Sequence, residues 1–229
     1  IMNGTCNYIL DNMTRLGLGY DEALKQAQKL GYAEANPATD VDGIDTWHKV
    51  ILSANVAFGI SLDKTTVPVS GIRNISAADV DCFKAHGKVC KLISTAKRTE
   101  DGFSAYVQPT LVDAGSPEGA VPLNYNLITF IGQTSERMSF YGQGAGRYPT
   151  AYNVVQDLVD VTQGKSFYAP YGAPQAADNQ EAHRYYVRGD WEGSIQENWS
   201  TGVITAPVPV SQMHQWVKDH PDAFIAAID

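Results

Sequence analysis

The stretch Gly31–Lys49 constrains this chain most. Glu34, Asp40, Asp42 and Asp45 fall within twelve positions, directly ahead of Val50–Ile60, a run broken only by Ser53, Asn55 and Gly59. The periodicity predicts a helix from about Ile44 to Phe58. It is apolar nearly all round after Lys49, so tertiary packing must bury it. The run is about half the ~20 residues a membrane span needs, so it reads as a buried helix. The acids stand at its start, and Asp45 and Lys49, four apart, share one face.

Composition narrows the class. Of 229 residues, 44 % are hydrophobic and 18 % charged, enough apolar mass for a sizeable core. Lys and Arg number 17 against 25 Asp and Glu, a formal charge of −8. That balance argues against a nucleic-acid partner, which needs clustered basic residues. Three cysteines, Cys6, Cys82 and Cys90, do not make a disulfide framework. A reduced, cytoplasmic setting without a membrane partner is expected. No signal peptide is visible, and the start Ile-Met-Asn-Gly reads as a cut from a longer polypeptide.

Cys6, Ile9, Leu10, Met13 and Leu16 recur at helical spacing, with Gly17 as a stop. Asp21 is expected to cap a second helix that Gly31 ends. Ser76 is the expected cap of a fourth helix with Val80, Phe83, Val89, Leu92 and Ile93 on its buried side. Strand-like sequence follows at 103–112, 126–131 and 138–141, the last two as a hairpin. A helix is expected near Pro149–Val161, with strands at 184–188 and 202–208 and a short helix near 211–218.

The chemistry concentrates in three places. On its own, the Asp45–Lys49 pair reads as a surface pair worth roughly 0.3–0.5 kcal/mol. Where the helix turns apolar, however, partial desolvation and the helix dipole would lower the lysine pKa while Asp45 opposes them. A lysine so held is a reasonable general acid or base, aimed by the carboxylate. Glu34 and Asp40 are candidate ligands for an ammonium group. The second place is Gly142-Gln143-Gly144-Ala145-Gly146, leading through Pro149 and Thr150 into a helix. Its glycines let a backbone pass close to a ligand at a helix N-terminus, but it is not a dinucleotide fingerprint. The third is Asn3-Gly4-Thr5, either a plain cap or a turn presenting N–H groups and a hydroxyl to the same pocket. The five histidines show no metal-ligand spacing, so no protein metal site is expected. Cys6 and Trp47 read as packing residues.

Taken in order, Asn3-Gly4-Thr5-Cys6-Asn7-Tyr8-Ile9-Leu10, Leu30-Gly31-Tyr32-Ala33-Glu34, Asp40-Val41-Asp42-Gly43-Ile44-Asp45, Lys49 and Gly142–Gly146 with Pro149-Thr150-Ala151 resemble homoserine dehydrogenase over about residues 1–161. The resemblance implies an α+β fold: a mixed or antiparallel sheet with helices packed on one face. It implies an oxidoreductase interconverting L-homoserine and L-aspartate 4-semialdehyde with NADP or NAD, in threonine, methionine and isoleucine biosynthesis.

On that pattern Lys49 is the acid–base residue and Asp45 its orienting partner. Glu34 and Asp40 would bind the substrate ammonium, with Thr5, Gly31 and Tyr32 lining the substrate pocket. Asn3, Gly4, Gly142, Gly144, Ala145, Gly146 and Thr150 would face the cofactor. The family's dinucleotide-binding domain, which decides NAD against NADP, precedes this segment, as would the ligands of a sodium or potassium ion seen in some members. Tyr152 and Asn153 stand where the family favours small residues. The expected organisation is a catalytic domain at 1–161, a linker at 162–182 and an extension at 183–229 packed on the same domain. That extension is too short for a regulatory ACT domain. A homodimer is expected. The alternative is a non-catalytic amino-acid-binding or dimerisation module derived from this domain.

Overall fold

The computed structural model describes residues 1–100, 102–165 and 172–228. Four helices build the first part: α1 (Gly4–Leu16), α2 (Tyr20–Lys29), the single turn α3 (Ala38–Val41) and α4 (Ile44–Phe58). After a short 3-10 turn come α5 (Ala77–Ala85), the strands β1 (Lys88–Arg98), β2 (Phe103–Asp113), β3 (Asn126–Gly132) and β4 (Glu136–Gly142), and α6 (Arg147–Thr162). The remainder holds β5 (Ala182–Arg188), β6 (Ile195–Asn198), β7 (Val203–Thr205), β8 (Val208–Pro209), α7 (Val210–Asp219) and β9 (Phe224–Ile228).

The main sheet runs β1-β2-β9-β5-β7-β6, with β8 beside β5. Among the described strands β2 and β9 pair in parallel and the other pairs are antiparallel, so the sheet is mixed. β9, from the last part of the chain, thus hydrogen-bonds directly to β2. Strand alternation places Tyr186, Phe224 and Ala226 in the large core shared with α1, α4 and α5. Their neighbours Tyr185, Val187, Ile225 and Ala227 meet Met213 and Trp216 of α7 on the opposite face. β3 and β4 form a separate hairpin.

Several local expectations need correction. Gly19, not Asp21, is the N-cap of α2, and the half-buried Tyr20, packed on the core, starts the helix two residues earlier. The fourth helix does keep Ser76 as its cap, with a full capping box to Asp79, but it stops at Ala85. Val89, Leu92 and Ile93 lie in β1, whose pairing with β2 over eleven positions overrides the short helical periodicity. The strand expected at 202–208 is two short pieces, β7 and β8. β6 and β9 had no expectation. Of the connecting segment 162–182, residues 166–171 lie outside the described residues.

α4 is buried only on the face of Val50 and Ala54. On its other side Leu52 is 65 % and Val56 72 % exposed. Among the described residues no helix is long and apolar enough to cross a membrane.

Candidate active site

The site is assembled around the N-terminus of α1. Asn3 caps that helix by accepting a hydrogen bond from the Cys6 N–H at 2.8 Å. Its amide donates to Asp40 Oδ1 at 2.7 Å and to Asp45 Oδ2 at 2.9 Å. One residue therefore ties the start of α1 to α3 and to the first turn of α4. Lys49, one turn along α4, donates to the same Asp45 oxygen at 2.7 Å and to the Met2 carbonyl at 3.1 Å. An ammonium group carries three donors, so one N–H is left for a ligand. The Lys49 side chain is 46 % exposed, so α4 does not desolvate it as its apolar surroundings in sequence suggest. It stands at the mouth of a cleft.

That cleft, of about 550 Å³, is walled by Asn3, Gly4, Thr5, Gly31, Tyr32, Asp40, Asp45 and Lys49 on one side. Asn124, Gln143, Ala145 and Gly146 line it as well. Thr5 donates from Oγ1 to the Tyr32 carbonyl at 2.6 Å, holding the loop after α2 against α1. Gly4 has no room for a side chain, because a Cβ there would lie 2.8 Å from the Asn124 carbonyl oxygen. Asp42, the remaining acid of the cluster, pairs instead with Arg73 at 2.7 Å.

Ten of the residues singled out from sequence meet at this cleft. Four do not line it. Glu34 is exposed on the loop beyond Tyr32, and Gly142 is the last residue of β4. Gly144 sits against the Asn126 side chain, and Thr150 lies in the first turn of α6. Asn124 and Gln143 join the cleft without having been singled out. Gln143 lies inside the glycine motif and was readable there, whereas nothing local marks Asn124.

Cys6 is fully buried, with Sγ 3.1 Å from the Asp40 carbonyl. Burial raises its thiol well above the ordinary range, and Asp40, Asp45 and Asp42 add to the effect. It is a neutral packing group. Trp47 packs on the core and donates from Nε1 to the Val67 carbonyl at 2.8 Å.

The glycine-rich side fits the reactive end of a nicotinamide dinucleotide. Gln143, Ala145 and Gly146 line the cleft beside Asn3 and Lys49. Gly146 takes φ +127°, and α6 begins there with no side-chain cap, leaving its first N–H groups available.

The family model for homoserine dehydrogenase matches residues 1–159. The homoserine dehydrogenase of Bacillus subtilis is 40 % identical over 177 residues, covering 74 % of this chain and 41 % of that protein. A solved homoserine dehydrogenase from Thiobacillus denitrificans superposes with a TM-score of 0.80 at 28 % identity, over 100 % of this chain and 63 % of that one. A hyperthermophilic archaeal homoserine dehydrogenase solved in complex with NADPH shares the fold, with a TM-score of 0.59 at 24 % identity over 72 % of this chain and 47 % of that one. The chain spans less than half the length of the curated relatives it matches.

Proposed function

The chain belongs to the homoserine dehydrogenase family, and from that premise we propose that it carries the substrate pocket and proton-transfer group of an enzyme interconverting L-homoserine and L-aspartate 4-semialdehyde. The observation that carries this reading is the Asp40–Asn3–Asp45–Lys49 chain of hydrogen bonds on one wall of the cleft. When bound, NADP or NAD supplies the hydride acceptor or donor. In the reducing direction Lys49 gives a proton to the carbonyl oxygen of the semialdehyde. In the oxidising direction it takes the hydroxyl proton of homoserine. Asp45 fixes the Lys49 amine in place.

The substrate ammonium is drawn by Asp40, which keeps a free oxygen after accepting from Asn3, with Glu34 as the proposed second ligand from its exposed loop. Thr5 and the Gly31–Tyr32 backbone supply polar contacts to the rest of the amino acid. Asn3, Gly4, Ala145 and Gly146 would hold the cofactor's reactive end, with Gly142, Gly144 and Thr150 shaping the turn behind them.

The exposed apolar side chains fit two proposed neighbours. α6 presents Tyr148, Tyr152, Val155, Leu158 and Val161 to solvent, a surface suited to a dinucleotide-binding domain. The β3–β4 hairpin exposes Phe130, Ile131, Met138 and Phe140, which suits a homodimer contact. A cytoplasmic setting agrees with three cysteines that are all free and buried.

The test is NAD(P)-dependent oxidation of L-homoserine by the native polypeptide, with Lys49→Met as the control. Turnover that this substitution abolishes supports the reading. Homoserine binding without any turnover by the native polypeptide favours a non-catalytic module instead.

A further inference from the structure

Lys91 on β1 is 2 % exposed. Its ammonium donates to the Asn7 side-chain oxygen at 3.0 Å and to the Val121 carbonyl at 2.7 Å. Both acceptors are neutral, an expensive environment for a buried cation. If that space needed only filling, an apolar residue of similar length would serve as well or better. What the lysine holds is the loop from Val121 to Asn124.

The same loop is also held by α1. Gly4, Asn7 and Asp11, spaced three and four apart, form one stripe of α1, and all three meet it. Asn7 Nδ2 donates to the Leu123 carbonyl at 2.7 Å and to the Val121 carbonyl at 3.2 Å. Asp11 accepts from the Leu123 N–H at 2.9 Å. The Asn124 carbonyl rests on Gly4. Leu123 sits at φ +47°, a left-handed conformation that a leucine adopts only under constraint. Its neighbour Asn124 lines the cleft together with Lys49 and Thr5.

We propose that Lys91 is a positioning residue for the reaction: through Asn7 and the Val121 carbonyl it holds the 121–124 loop strained against α1, so that Asn124 closes the substrate side of the cleft. Lys91 touches neither substrate nor cofactor. Burial brings its ammonium down to about 8, while Asp11 and Cys90 push it up and Arg15 lowers it further. The brace is thus a marginal cation held by the groups around it. The inference rests on the homoserine reading of the cleft.

The experiment compares the native polypeptide with Lys91→Met and, because a buried substitution can impair folding, with Asp11→Ala. Two quantities are read: amide hydrogen exchange at Leu123 and Asn124, and the kinetic constants for homoserine and cofactor. The expected result is faster exchange at both amides and a homoserine KM raised about tenfold or more, with the cofactor KM unchanged. Asp11→Ala should show the same pattern more weakly. Unchanged exchange overturns the proposal whatever the activity. So does faster exchange with an unchanged homoserine KM, which would make Lys91 a purely structural brace. If the native polypeptide does not oxidise homoserine at all, the functional reading fails on its own, and positioning for that reaction falls with it; the exchange data then still tell whether the brace exists.

Discussion

The Asn3 amide lies 2.9 Å from the Asp45 carboxylate across 42 positions of sequence. The same side chain caps α1, so the helix start and the acid that holds Lys49 cannot move independently. Asn3→Asp tests the second duty, because it keeps a capping oxygen for the Cys6 N–H. It also replaces two donated hydrogen bonds with a third carboxylate facing Asp40 and Asp45. Homoserine oxidation should fall at least tenfold and the melting temperature should fall as well, because Asn3 is buried beside both carboxylates, checked by steady-state kinetics and calorimetry.

Lys49→Met should cost kcat on the order of 10²–10⁴. Stability should move by less than about 1 kcal/mol, because the Lys49–Asp45 pair is partly solvent-exposed. Asp45→Asn keeps the Asn3 contact sterically possible and should give a smaller loss. Urea unfolding alongside single-turnover kinetics separates the two effects. A large stability loss in Lys49→Met would contradict the role given to the pair.

The strands beyond residue 182 should depend on Arg188. It donates to the fully buried Asp79 at 3.1 Å and to the Asn74 carbonyl. Arg188→Met leaves a buried carboxylate short of its counter-charge, which costs about 3–5 kcal/mol. The value should lie toward the low end, since Asp79 keeps its bonds to Ser76 and Tyr186. Chemical denaturation followed at Trp199 and Trp216 would measure it, and an unchanged midpoint would refute it.

His214 should make the protein acid-sensitive. Burial, aided by the charge of Lys218, lowers its pKa from 6.5 to about 4. The ring is held between Ser70 at 3.1 Å and Gln108 at 3.0 Å. The unfolded chain therefore takes up a proton first. The stability of the neutral, buried ring is fully present above pH 6.5 and is lost as pH falls toward 4, by at most about 3 kcal/mol. His214→Gln should flatten the stability profile between pH 6.5 and 4 relative to the wild type, as read from urea midpoints at several pH values. Parallel profiles would rule this out.

Much of the helical part was legible locally. The apolar spacing of α1 and the four-residue interval between Asp45 and Lys49 follow from a 3.6-residue repeat, and Ser76 was readable as a cap from its residue type. The ordered motifs also identified the family. The same local logic misled at Val89–Ile93, where β1 replaces a helix because its partner strand is supplied from elsewhere in the chain.

The sequence by itself thus determined the family and most of the helices, α1, α2, α4, α6 and α7 among them. Only the tertiary structure decided that Asn3 bridges Asp40 and Asp45, that Asn124 walls the cleft while Glu34 stays outside it, and that β9 enters the sheet between β2 and β5. A helix satisfies its backbone within a few residues, so its signal sits in a short window. Cleft walls and sheet order depend on contacts that close long loops, and no local window contains the groups that reward that closure.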